Sequence, residues 1–129
     1  MNVSEFINKK QGQFLKGKPI KTKDISRKGF RYWLIEAVTF MKQSDTANKI
    51  FVIERMKMIS QDPGCITKRP RGYSQYRIGY YVIGQIGNKK GKWTWGQYCP
   101  HIPLDDFWLL IEKATREGTI LQNNPSATA

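Results

Sequence analysis

The chain reads as one α+β domain, a three- or four-stranded antiparallel meander sheet with a C-terminal helix packed on one face and a short N-terminal helix. Three observations predict this. A length of 129 residues suits one domain around one core. Two runs rich in aromatic and β-branched residues, Tyr76 to Ile86 and Trp93 to Tyr98, flank Gly87-Asn88-Lys89-Lys90-Gly91, which has the composition of a hairpin loop. Near the C-terminus, Phe107, Leu110, Ile111 and Ala114 recur at helical spacing.

Taken in order, Ser4 is placed to cap a short first helix, with Glu5 favourable in its first turn and Phe6, Ile7, Phe14 and Leu15 forming an incomplete apolar stripe. Lys16 to Lys28 has no regular period and contains Pro19, so it reads as a basic surface connection or arm. Phe30 to Met41 matches helical spacing at Phe30, Trp33, Leu34, Ala37, Val38 and Met41. Its Phe, Tyr, Trp, Ile, Val and Thr content instead suits a pleated surface, with Glu36 alone breaking the alternation, and the extended reading is preferred. Ile50 to Ile59 reads as a strand, with Ile50, Val52, Met56 and Met58 on one side and Phe51, Ile53, Arg55 and Lys57 on the other.

Asp62-Pro63-Gly64 marks a turn, and Thr67 to Tyr73 a basic Pro/Gly loop before the hairpin. The Trp93/Trp95 side of that hairpin is expected to pack on Phe107 and Leu110. Two prolines in Pro100-His101-Ile102-Pro103 end the sheet. Asp105 and Asp106 suit the start of the last helix, Lys113 and Arg116 its end, and Gly118 its stop. The domain is expected to occupy residues 1–121, with 122–129 a disordered tail.

Charge is the outlying property: 22 Lys+Arg against 10 Asp+Glu give +12, a field that draws in polyanions and says nothing about fold. No acid lies between Pro63 and Leu104, while Lys68, Arg69, Arg71, Arg77, Lys89, Lys90 and Lys92 do. A second basic block runs from Lys9 to Arg31 with Asp24 as its only acid. Two cysteines make no disulfide framework, no apolar leader opens the chain and no apolar run approaches a bilayer span, so a reducing cytoplasm without membrane contact is expected.

Chemistry is thinly represented. Cys99 and His101 with the distant Cys65 fall short of a zinc set, and a Cys-His nucleophile would need a third group such as Asp105 or Asp106 to orient it. Glu36 and Glu54 are the only carboxylates placed to face each other for a Mg²⁺-dependent nuclease. The Gly87–Lys92 loop lacks the glycine spacing and the hydroxyl of a phosphate loop, and Tyr81-Val82-Ile83-Gly84 matches only half of the GIY-YIG nuclease signature.

The expected function is therefore non-enzymatic binding of DNA or RNA, mostly through phosphates, by Lys68, Arg69, Arg71, Arg77, Lys89, Lys90 and Lys92, with neither catalytic residues nor metal nor cofactor. The alternatives are a protein-interaction module or inhibitor of an acidic partner, using the same surface with exposed Trp or Tyr anchors, and third, the small nuclease.

Overall fold

A computed structural model gives the structure of the protein and describes residues 1–122. The tail expected from residue 122 onward lies, Gln122 apart, outside the described residues. In chain order the elements are α1 (Val3–Leu15), β1 (Ile20–Lys23), β2 (Phe30–Lys42), β3 (Lys49–Gln61), β4 (Ser74–Ile83), β5 (Trp93–Trp95) and α2 (Leu104–Arg116). The strands form one antiparallel meander in the order β1-β2-β3-β4-β5, with a helix on each face.

The α+β class and the meander are as expected, but the sheet has five strands. The additional one is β1, expected as a surface connection. Pairing of Ile20 with Trp33 and Lys23 with Phe30 extends the sheet by a four-residue edge, and lysines at Lys21 and Lys23 suit an edge that must not recruit further chains.

β2 is extended throughout and pairs along its length with β3. Glu36, the residue out of pattern, falls at a shift of register between Ile35↔Met56 and Ala37↔Arg55, a bulge that reverses which residues face which side. Trp33 and Ile35 thus share a side with Val38 and Phe40. β3 alternates as expected: Ile50 and Val52 pack beneath α1, and Phe51 and Ile53 beneath α2.

The two faces of β4 and β5 are the reverse of the expectation. Trp93 stacks on Phe6 of α1 at 5.2 Å, and Tyr80 packs instead with Phe51, Ile53, Leu110 and Ala114. The first strand stops at Ile83, because the chain from Gly84 to Lys92 forms a compact loop with Gly84 N–H donating to the Lys92 carbonyl at 2.9 Å, and the second covers only Trp93–Trp95.

Asn2, not Ser4, caps α1. Its side chain accepts from Glu5 N–H at 2.8 Å while the Glu5 carboxylate accepts from Asn2 N–H at 3.3 Å, a reciprocal cap that satisfies two of the helix's orphan donors. Only Phe6 of this helix is fully buried, with Val3 and Ile7 packed beside it on the same core cluster. In α2, Asp106 accepts from Ser44 N–H at 2.9 Å, tying the helix start to the β2–β3 turn. Gly118, at φ +82°, closes its end.

Because Phe6 is the centre of the contact between α1 and the sheet, Phe6→Ala is expected to cost about 3 to 5 kcal/mol and to loosen α1 on the sheet. Denaturant unfolding together with amide exchange over residues 3–15 measures both effects.

Candidate functional site

The seven basic residues singled out from the sequence are not brought together. Lys68, Arg69 and Arg71 lie in the loop before β4, and Lys89, Lys90 and Lys92 in the loop after it. Ten residues of strand separate the two loops, a span of about 30 Å at about 3.3 Å per residue. Arg77 lies between them on the α1 side of the sheet. Its Nε donates to Glu54 at 2.6 Å and its guanidinium lies 4.8 Å from the Trp95 ring, so it is engaged in the fold.

The first group has neighbours that the linear sequence did not place beside it. The β1–β2 turn, Asp24 to Gly29, meets the β3–β4 loop, Asp62 to Tyr73, and Asp24 is the junction. Its carboxylate is buried and accepts from Ser26 Oγ at 2.6 Å, Ser26 N–H at 3.1 Å and Ile66 N–H at 3.1 Å. Arg31 Nη2 pairs with it at 2.7 Å and also donates to the Thr67 carbonyl. Asp62 complements this from the other loop by accepting from Phe30 N–H at 2.9 Å.

Two glycines let the backbones touch. A Cβ on Gly64 would lie 2.5 Å from the Lys28 carbonyl oxygen, and one on Gly29 would lie 2.9 Å from Cys65 N.

The electrostatic consequence is lopsided. The only acids of these segments, Asp24 and Asp62, are consumed by backbone N–H groups and Arg31, while Lys21, Lys23, Arg27, Lys28, Lys68, Arg69 and Arg71 are exposed at the same end of the sheet. Arg69 is braced over the Tyr73 ring at 4.8 Å and Lys68 Nζ donates to the Pro63 carbonyl at 2.9 Å. Arg27 holds φ +61°, a left-handed conformation that costs a side-chain-bearing residue about 1 kcal/mol or more.

The other candidate groups do not assemble. Glu36 pairs with Arg55 at 2.6 Å on the α2 side, whereas Glu54 pairs with Arg77 on the α1 side, so the two carboxylates cannot share one Mg²⁺. Cys65 is buried against the β1–β2 turn, with its thiol 3.5 Å from the Phe30 carbonyl, and Cys99 and His101 are exposed beyond β5. Among the described residues no three His, Cys, Asp or Glu side chains come together as a metal set, and no helix is long and apolar enough to cross a membrane. No family model matches the chain, and comparison with curated proteins and with solved structures gives no significant match.

The carboxyl of Asp24 is held well below the usual carboxylate range, chiefly by the Ser26 hydroxyl and further by the Ile66 and Ser26 N–H groups and Arg31, against the opposing effect of burial. A folded-state pKa below the unfolded one contributes stability that is complete above about pH 4 and is lost as pH falls through the folded value. Thermal stability is therefore expected to fall progressively below about pH 4. Asp24→Asn should lower Tm at neutral pH and flatten this acid dependence. Amide exchange should show the 62–73 loop released first.

Proposed function

We propose that the protein binds nucleic acid through its phosphates, without sequence chemistry of its own, and that the surface formed by the β1–β2 turn and β3–β4 loop is the principal contact. The observation that carries the reading is the Asp24 junction, which gathers basic residues from two distant segments while burying the acid between them. Cations so placed displace condensed counterions from a phosphate backbone, which makes binding salt-dependent and tolerant of sequence.

At this surface Tyr73 and Phe30 are covered by Arg69 and by Lys21 and Lys23, and other aromatic side chains lie elsewhere. Trp93 and Tyr81 pack around Phe6, and Tyr76 accepts from Leu121 N–H at 2.8 Å. Backbone contact is accordingly favoured over base stacking as the main source of affinity.

Arg27 adds independent support. A lysine- or arginine-bearing residue at a left-handed position, where glycine is the cheaper choice, is the kind of local cost that persists when the side chain serves a ligand. Lys89, Lys90 and Lys92, about 30 Å away along β4, form a second basic region that an extended strand or duplex of about nine base pairs would reach.

A second reading, the protein-interaction module, draws on a different surface from the one expected. On α2, Leu104 is 86 % exposed and Trp108 is 68 % exposed, an apolar flank of the sort that anchors protein contacts.

Retention on heparin and mixed oligonucleotides, followed over a salt series, separates the readings. Replacing Lys68, Arg69 and Arg71 together with Ala should weaken binding roughly tenfold or more and reduce the salt slope by about 2 to 3. The corresponding triple substitution at Lys89, Lys90 and Lys92 should do less. Arg27→Gly should weaken binding while Tm stays the same or rises. Capture of a discrete protein that persists at high salt and is lost in Trp108→Glu would favour the second reading instead.

A further inference from the structure

Between α1, the Lys16–Pro19 connection and the centre of the sheet lies a cavity of about 550 Å³, a size typical of small-molecule sites. Phe14, Ile35, Val38 and Tyr81 supply apolar walls, and the Glu54–Arg77 pair lies against them. Lys10, Lys16 and Lys18 also line it, so four cations surround one carboxylate.

The hydrogen-bonding capacity of these groups is mostly unspent. Among the described residues Arg77 commits only Nε, to Glu54 Oε1, leaving both terminal nitrogens free. No protein hydrogen bond occupies Glu54 Oε2. Lys10 has no hydrogen-bond or ion-pair partner among the described residues and lies 5.3 Å from the Tyr81 ring centroid and 5.7 Å from that of Phe6. Burial, seconded by Lys9, lowers its pKa, against the raising effect of Glu54. Lying over these rings and still open to water, the Lys10 ammonium keeps its donors available to an anionic ligand.

The ligand that answers all of these groups carries an anion for Lys10 and Arg77, a flat body for the Tyr81 and Phe14 walls, and an N–H donor for Glu54. A bare phosphate lacks the last two, and a fatty acid lacks the donor. We propose that the cavity binds a nucleotide, as a free nucleoside monophosphate or as one unpaired residue of a strand. The phosphate lies between Lys10 and Arg77 with Lys16 and Lys18 beside it, and an exocyclic amino group of the base donates to Glu54. This site lies on the α1 side and does not depend on the basic end of the sheet.

The test is titration of the intact protein with AMP, GMP, CMP, a short mixed single-stranded oligonucleotide and inorganic phosphate, read by calorimetry and by tryptophan fluorescence, since Arg77 rests on Trp95. Saturable binding of a mononucleotide identifies the free ligand, and binding of the oligonucleotide alone identifies a strand residue. In either case Lys10→Gln and Phe14→Ala should each weaken it roughly tenfold, and the Lys68/Arg69/Arg71 triple substitution should leave mononucleotide affinity unchanged. Lys10→Gln is the decisive variant because Lys10 makes no hydrogen bond that the fold needs, whereas loss of Arg77 would strand the buried Glu54. The proposal is overturned if no nucleotide binds saturably, if binding ignores Lys10→Gln, or if inorganic phosphate binds as well as the nucleotides.

Discussion

Asp24 is shut off from solvent where two loops meet that are far apart in the chain. A buried carboxylate is tolerable only when its charge is answered, and here two N–H groups, one hydroxyl and one guanidinium answer it. Each partner comes from a different part of the local structure: Ser26 from the β1–β2 turn itself, Arg31 from β2 and Ile66 from the loop after β3. Satisfying this one side chain therefore fixes the relative position of both loops, and with them the exposed lysines and arginines that they carry. The same economy governs the centre of the sheet, where Glu54 is buried on β3 and answered from β4 by Arg77, its partner in the register.

The placement of the acids decides where the molecule's positive charge is exposed. A net charge of +12 on 129 residues would spread as a general positive field if acids and bases were mixed over the surface. At the loop end Asp24 is buried against Arg31 and Asp62 is engaged by Phe30 N–H, so the exposed charges there are those of lysines and arginines, while Glu54 is paired with Arg77 at the centre of the sheet. The glycines at 29 and 64 are part of the same arrangement, since side chains there would push the two backbones apart. The helices serve mainly to cover the faces: α1 over Ile50 and Val52 through Phe6, and α2 over Phe51 and Ile53 through Leu110 and Ala114.

Much of the sheet was legible because β2, β3 and β4 are long and strongly patterned, and the exception at Glu36 was itself the mark of the bulge. β1 was missed because four residues reading Ile-Lys-Thr-Lys after a proline offer no apolar period of their own, and become a strand only by pairing with β2. Alternation told which residues of the hairpin share a side but not which helix covers it, so Trp93 was expected beneath α2 and lies beneath α1. At the site, the run Lys68 to Arg71 was visible as charge. Its union with Arg27 and Lys28 was not, because it rests on a bond between Asp24 and Ile66, 42 positions apart. Arg77 was counted as a free cation since nothing in linear sequence sets it opposite Glu54. That signal would have needed the β3–β4 register.

The most direct measurement of the central claim is backbone amide shift mapping of the intact protein during titration with a short oligonucleotide at low salt. The account predicts that residues 24–29 and 62–73 shift together along a single binding curve, as one surface held closed by Asp24. Shifts confined to residues 87–92, or two loops responding with separate affinities, would contradict it.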